Sequence, residues 1–206
     1  MASIPPRPGI SHERGIVGFT RSGGMTTMTD DGPLTARESW AFALKLYAEP
    51  GVSDACLKLQ AEAGVDVMLL LVATFAVAQR RIPLTPSDIE NMDRACRPWR
   101  EQIVQPLRTI RTALKLGPAP APSVASEQLR VLIKTGELAA ESLENDLLVA
   151  WLGQYASQQR RSTRGEVSDV LRHVVRHALG KEHHRRIEGL SPAIGAILSA
   201  TDKLLQ

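Results

Sequence analysis

"VDVMLLLVATFAVAQRR", residues 65–81, decides how the rest of the chain is read. Between Asp66 and Gln79 only Thr74 is not apolar, so helical periodicity cannot give the segment an inner and an outer face. Either lipid or protein must surround it. The uninterrupted run from Val67 to Ala78 would rise about 18 Å as a helix, against about 30 Å for a bilayer hydrocarbon core. It is too short to span a membrane and reads as the buried central helix of a protein core, over about residues 65–80. Asp66 offers a carboxylate to the free amides at its start. Gln79, Arg80 and Arg81 supply polar groups and positive charge at its carbonyl end.

Outward from this helix, the composition selects the fold class. Hydrophobic residues make up 43% of the 206 and aromatics only 4%, so the core must come mainly from Leu, Val, Ile and Ala. These recur at helical spacing, and no alternating apolar and polar runs stand out. The expectation is an all-α fold: a compact domain of about six helices around the central one, with a basic helical C-terminal extension.

The punctuation marks the elements. Residues 1–34 are rich in Gly, Pro, Ser and Thr without a periodic apolar face, and read as a disordered leader or as a start misplaced upstream of Met25 or Met28. Thr35 and Glu38 have capping-box spacing, and the first helix would bury Trp40, Ala43, Leu44 and Tyr47. The second, about 53–63, would present Cys56, Leu59, Gln60 and Ala63 before Gly64 ends it. Thr85 and Pro86 start a fourth helix, and Pro98 a fifth with the apolar stripe Trp99, Ile103, Leu107, Ile110 and Leu114, kinked at Pro106. After the linker "GPAPAPS", a long sixth helix carries Leu129, Leu132, Ile133, Leu143, Leu147 and Trp151 on one side. This places a helical domain at 35–155. The extension, 156–206, would hold a seventh helix ending at Gly180 and a last one capped by Ser191 ahead of Pro192.

Three stretches together resemble a proteobacterial family of conserved hypothetical proteins, carried as a domain of unknown function. They are "SWAFALKLYAEPGVSDACLKLQAEAGVDVMLLLVATFAVAQRR" (39–81), "PWREQIVQPLRTIRTALK" (98–115) and "LIKTGELAAESLENDLL" (132–148). The resemblance covers about residues 38–152 and lies in the order of elements. It implies a small helical protein and supplies no catalytic residue. The positions matched are Trp40, Tyr47, Pro50, Gly51, Cys56, Gln60, Gly64, Asp66, Trp99, Pro106, Arg108, Arg111 and Glu137.

Candidate chemistry is sparse. Cys56 and Cys96 sit in apolar helical patterns, without a CxxC pair or a nearby histidine, and read as buried reduced thiols of a cytoplasmic protein. His173 and His177 share a helix face near His183 and His184, but no HExxH or ExxH set completes a metal site. No phosphate-binding glycine loop occurs, so neither catalytic nor cofactor-binding residues are assigned. Gln60 and Asp66 are the candidates for a small pocket. Arg97, Arg100, Arg108, Arg111 and Lys115 fall within an arc of about 80° on the fifth helix and form a basic ridge. Glu137, Glu141 and Glu144 answer it on the sixth, so the expectation is pairing inside the fold.

Between residues 160 and 186 there are eight Lys and Arg against three Asp and Glu, a local net charge of +5 in a chain whose total is +3. Arg160, Arg161, Arg164, Arg172, Arg176, Arg185 and Arg186 could therefore contact nucleic acid, with weak sequence selectivity because no aromatic lies beyond Tyr155. Two readings result: a non-enzymatic helical module with a protein partner, and, second, nucleic-acid binding through the extension.

Overall fold

The computed structural model describes residues 34–156 and 166–206. These form eight α-helices: α1 Ala36–Ala48, α2 Val52–Ala63, α3 Val67–Ala78, α4 Pro86–Trp99, α5 Gln105–Leu116, α6 Val124–Ala156, α7 Glu166–Leu179 and α8 His183–Leu204. A π-helical turn, Arg100–Val104, joins α4 to α5, and a 3₁₀ turn, Gly180–Glu182, joins α7 to α8. There is no strand among the described residues. The leader, apart from Leu34, which packs against the core, lies outside them.

Local chemistry fixes the helix ends. Thr35 with Glu38 and Thr85 with Asp88 close reciprocal capping boxes, and the Asp66 carboxylate accepts from the Leu69 amide at 3.1 Å. Gly51 and Gly64 take left-handed φ of 83° and 70°, starting and ending α2 where a side chain would be strained. α3 is buried from Met68 to Val77, and its one polar side chain, Thr74, turns its hydroxyl back to the Leu70 carbonyl at 2.7 Å. α1, α6 and α7 pack around it.

Leu70 is fully buried in the middle of α3. Leu70→Ala is expected to cost about 2–5 kcal/mol, the range for a large-to-small change in a core. Urea unfolding of the variant measures this, and amide exchange should find α3 the slowest segment of the chain. A loss too small to measure would mean that α3 is not the centre of the fold.

Several sequence expectations need correction. α1 buries Ser39, Phe42, Ala43 and Leu46 instead of the face with Leu44 and Tyr47, which stay largely exposed. Its inward side is fixed by a polar tie: Ser39 donates to Asn145 Oδ1 at 2.7 Å, and Asn145 donates to the Ala36 carbonyl at 2.9 Å. Pro98 does not begin a helix but lies inside α4, and the chain passes through the π turn into α5 with Pro106 at its start. Widening the helix there accommodates the missing amide of Pro106 without a break. α5 buries no residue, because α6 and the π turn are its chief neighbours. On α6, Leu129, Leu132, Leu143 and Leu147 are exposed, while Ala140, Glu144, Asn145, Leu148, Val149 and Leu152 point inward. α5 and the first half of α6 thus form a hairpin arm, and only the second half of α6 enters the core.

Ser191 does not cap the last helix. α8 starts at His183 and runs through Pro192, with the Ser191 hydroxyl bonded to the Ile187 carbonyl. The division between a domain at 35–155 and an extension at 156–206 meets one continuous core. Val170, Leu171, Val174 and Val175 of α7 and Leu190, Ile194 and Ile197 of α8 are buried in the same cluster as α3.

Candidate functional site

Where the arm leaves the body, α1, α2, the turn before α3, the π turn, α5 and α6 enclose an open cleft of about 930 Å³. Its upper wall is apolar and aromatic: Trp40, Leu44 and Tyr47 from α1, Leu57 from α2, and Leu138 from α6. The remaining wall and the floor carry charge, with Asp66, Arg100, Arg108, Arg111, Lys134, Glu137, Glu141 and Glu144 all contributing. Gln60 and Asp66, the two sequence candidates for a pocket, both line it.

The basic ridge is largely consumed within the fold. Arg108 donates to Glu137 at 2.8 Å and to Glu141 at 2.6 Å, and Arg111 donates twice to Glu137. The pairs run in opposite sequence directions, so α5 and α6 are antiparallel. Burial favours the neutral form of each group, yet the two arginines hold the Glu137 carboxyl below its ordinary range. Around Glu141 burial wins and the carboxyl is pushed up, despite Arg108 beside it. Lys115 stands apart at the tip of the arm, beside a shallow hollow with Glu127 and Arg130.

The other ridge arginines enter a deeper network. Arg100 bridges Asp66 and Asp93, and Arg97 also binds Asp93. His177 of α7 reaches the same Asp93 carboxylate at 2.9 Å, so its imidazole is engaged within the fold. Burial alone would raise the Asp93 carboxyl, but His177, Arg97 and Arg100 hold it well below the usual carboxylate range.

Glu144 behaves differently from the stripe to which its spacing assigned it. It turns inward, is 1% exposed, and its Oε1 has no hydrogen-bond partner. Burial, and then the charge of Asp66, push its carboxyl up to about 9, so it is protonated at neutral pH. One carboxylate oxygen each from Glu144 and Asp66, with the Cys96 sulfur, lie within 4.8 Å of one another. Such a group has metal-ligand character, but Arg100 Nη1 already contacts both Asp66 and, at 3.7 Å, the Cys96 sulfur. A guanidinium thus already serves two of these three donors. The thiols themselves are unsuited to nucleophilic work, since burial pushes Cys56 up to about 12 and Cys96 higher still.

Sequence reasoning missed the unpartnered Glu144 oxygen and Cys96 beside it, because residues 66, 96 and 144 come from three separate elements. Of the basic residues toward the C-terminus, Arg172 and Arg176 lie on α7, and Arg186 donates to the Glu62 carbonyl of α2. Arg160, Arg161, Arg164 and the side chain of Arg185 lie outside the described residues, as do the side chains of His183 and His184.

Fold and cleft define the class: an all-helical domain with a mixed apolar and ionic groove beside a helical arm. No helix among the described residues is long and apolar enough to cross a membrane. Residues 38–148 match the family described as "Protein of unknown function (DUF2390)", more than half of the chain, and the chain belongs to that family. No curated protein and no solved structure matches it.

Proposed function

We propose that this chain is a non-enzymatic helical interaction module of the cytoplasm, whose cleft receives an apolar helical segment of a protein partner. The observation that carries the reading is the rim of the cleft: Leu44, Leu57 and Leu138 are 50%, 54% and 51% exposed, with Tyr47 among them. Single exposed leucines are ordinary, but four large side chains converging on one concave surface are a patch with a shape. A helix presenting residues at i, i+3, i+4 and i+7 suits a groove between helices. Behind the rim, Arg108, Arg111, Glu137 and Glu141 neutralise one another, so the patch asks chiefly for apolar contact. Two free, buried cysteines suit a reducing compartment.

The test places a photo-crosslinking residue at Leu57 or, as control, at Leu116 on the arm tip, which is 91% exposed and outside the cleft. The expected result in source cells is an adduct from position 57 alone, mapping to an amphipathic helix of one protein. Leu44→Asp with Leu138→Asp should abolish it. Identical adducts from both positions, or none from 57, would overturn the reading.

A further inference from the structure

We propose that the floor of this cleft is a receptor for an alkylammonium group, the side-chain amine of a lysine carried by the partner segment, with Glu144 as its acceptor. The inference rests on the cleft being the binding face, and adds what that face recognises. It starts from a count of charges in one buried cluster. Asp66 and Asp93 share Arg100, and Asp93 is completed by Arg97 and His177. Glu144, the third carboxyl, is hydrogen-bonded to Asp66 in the turn before α3 and lies beside Cys96 from α4 and Arg100 from the π turn. Arg100 is the one cation in that circle and is already engaged twice. Glu144 stays neutral beside Asp66 for want of a second cation, and its Oε1 is buried without a partner in the lining of an open cleft.

A buried polar atom without a protein partner costs free energy unless water or a ligand fills it. An ammonium brings three donors and one positive charge. With it in place Glu144 ionises and loses its proton to solvent, and two carboxylates then face two cations, Arg100 and the ligand's. The aliphatic stem of lysine would lie along the apolar wall, as such stems do elsewhere. Trp40 and Tyr47 line the same wall and offer rings to a cation. A metal ion fits less well, because Arg100 already binds two of the three groups that could ligate it.

The probe is n-hexylamine, with n-hexanol as its neutral counterpart, titrated into the full chain labelled with ¹³C at glutamate carboxyls. At pH 7 hexylamine is expected to move the Glu144 resonance from its protonated to its ionised position, and hexanol to leave it in place. One proton is released per amine bound, so the Kd should fall about tenfold for each pH unit between 6 and 8. Only above about pH 10, where the amine itself deprotonates, should binding be lost. Glu144→Gln should remove the pH dependence and weaken binding at least tenfold. Equal binding of amine and alcohol, a stationary Glu144 resonance, or a Kd that ignores pH would overturn the proposal. Failure here with a mapped adduct at Leu57 leaves the interaction module standing. Amine binding without any adduct would point to a free aliphatic amine and sink the partner instead.

Discussion

Ending the chain at residue 156 is expected to abolish folding rather than to trim a basic tail. By charge and composition the C-terminal fifty residues look dispensable, and a mildly acidic helical domain would remain without them. The core contradicts that appearance. Nine Val, Leu and Ile side chains of α7 and α8 are buried: Val167, Val170, Leu171, Val174, Val175, Leu179, Leu190, Ile194 and Ile197. They cover α3 and α2, the two elements with which α7 and α8 make their main contacts outside their own hairpin. The ordering cost of the deleted helices disappears with them, so the surface left behind decides the outcome. At about 1.5–3 kcal/mol for each large apolar side chain returned to water, uncovering even four or five on α2 and α3 rivals the roughly 5–15 kcal/mol that holds a domain together. Circular dichroism and urea unfolding of residues 34–156 beside 34–206 check this. The shorter chain should lose its cooperative transition and bind a hydrophobic dye. A sharp transition in both would make α7 and α8 accessory.

That contrast shows what could be read from the chain and what could not. The central helix, the caps at Thr35, Asp66 and Thr85 and the glycine ends of α2 are local: each depends on residues within one turn, and the sequence displays them. The opposing charge stripes of α5 and α6 are also local patterns, and their pairing requires only that two adjacent helices fold back. The inward face of α1 is not local. Trp40, Leu44 and Tyr47 make as plausible a stripe as Ser39, Phe42, Ala43 and Leu46, and Asn145, more than a hundred positions away, decides between them. The face left outside became the wall of the cleft. In the same way the apolar stripes of the arm are amphipathic by spacing, but spacing does not reveal that, among the described residues, they lie chiefly against each other. The unpartnered oxygen of Glu144 was invisible because its neighbours Asp66 and Cys96 come from two other elements with no fixed separation.

The stability of the charged floor turns on Arg100. Its guanidinium lies between the Asp66 and Asp93 carboxylates, each less than a tenth exposed, and burial would by itself disfavour its charge. The two carboxylates reverse that and hold the guanidinium more basic than usual. Removing it leaves anions behind in a site built around a cation. Arg100→Met keeps the aliphatic stem, and is expected to cost about 3–5 kcal/mol at pH 7, the range for a buried pair broken from one side. Asp93 retains Arg97 and His177, so most of the loss should come from Asp66, with the protonated Glu144 beside it. Adding Asp66→Asn removes that stranded charge while an amide oxygen can still cap α3. The double variant should therefore be more stable than Arg100→Met alone, with a coupling of about 0.5–3 kcal/mol. The pH dependence has a definite sign. Asp93 titrates below its unfolded value, so its stabilisation is complete above about pH 4 and is lost as pH falls through its depressed folded value. Arg100→Met removes one of the partners that hold Asp93 low, so the gap between wild type and variant should narrow as pH falls from 7 to 2. Urea unfolding of the three proteins at both pH values measures each quantity. A constant gap, or a double variant no better than the single, would mean that Arg100 acts through its packing and not through its charge.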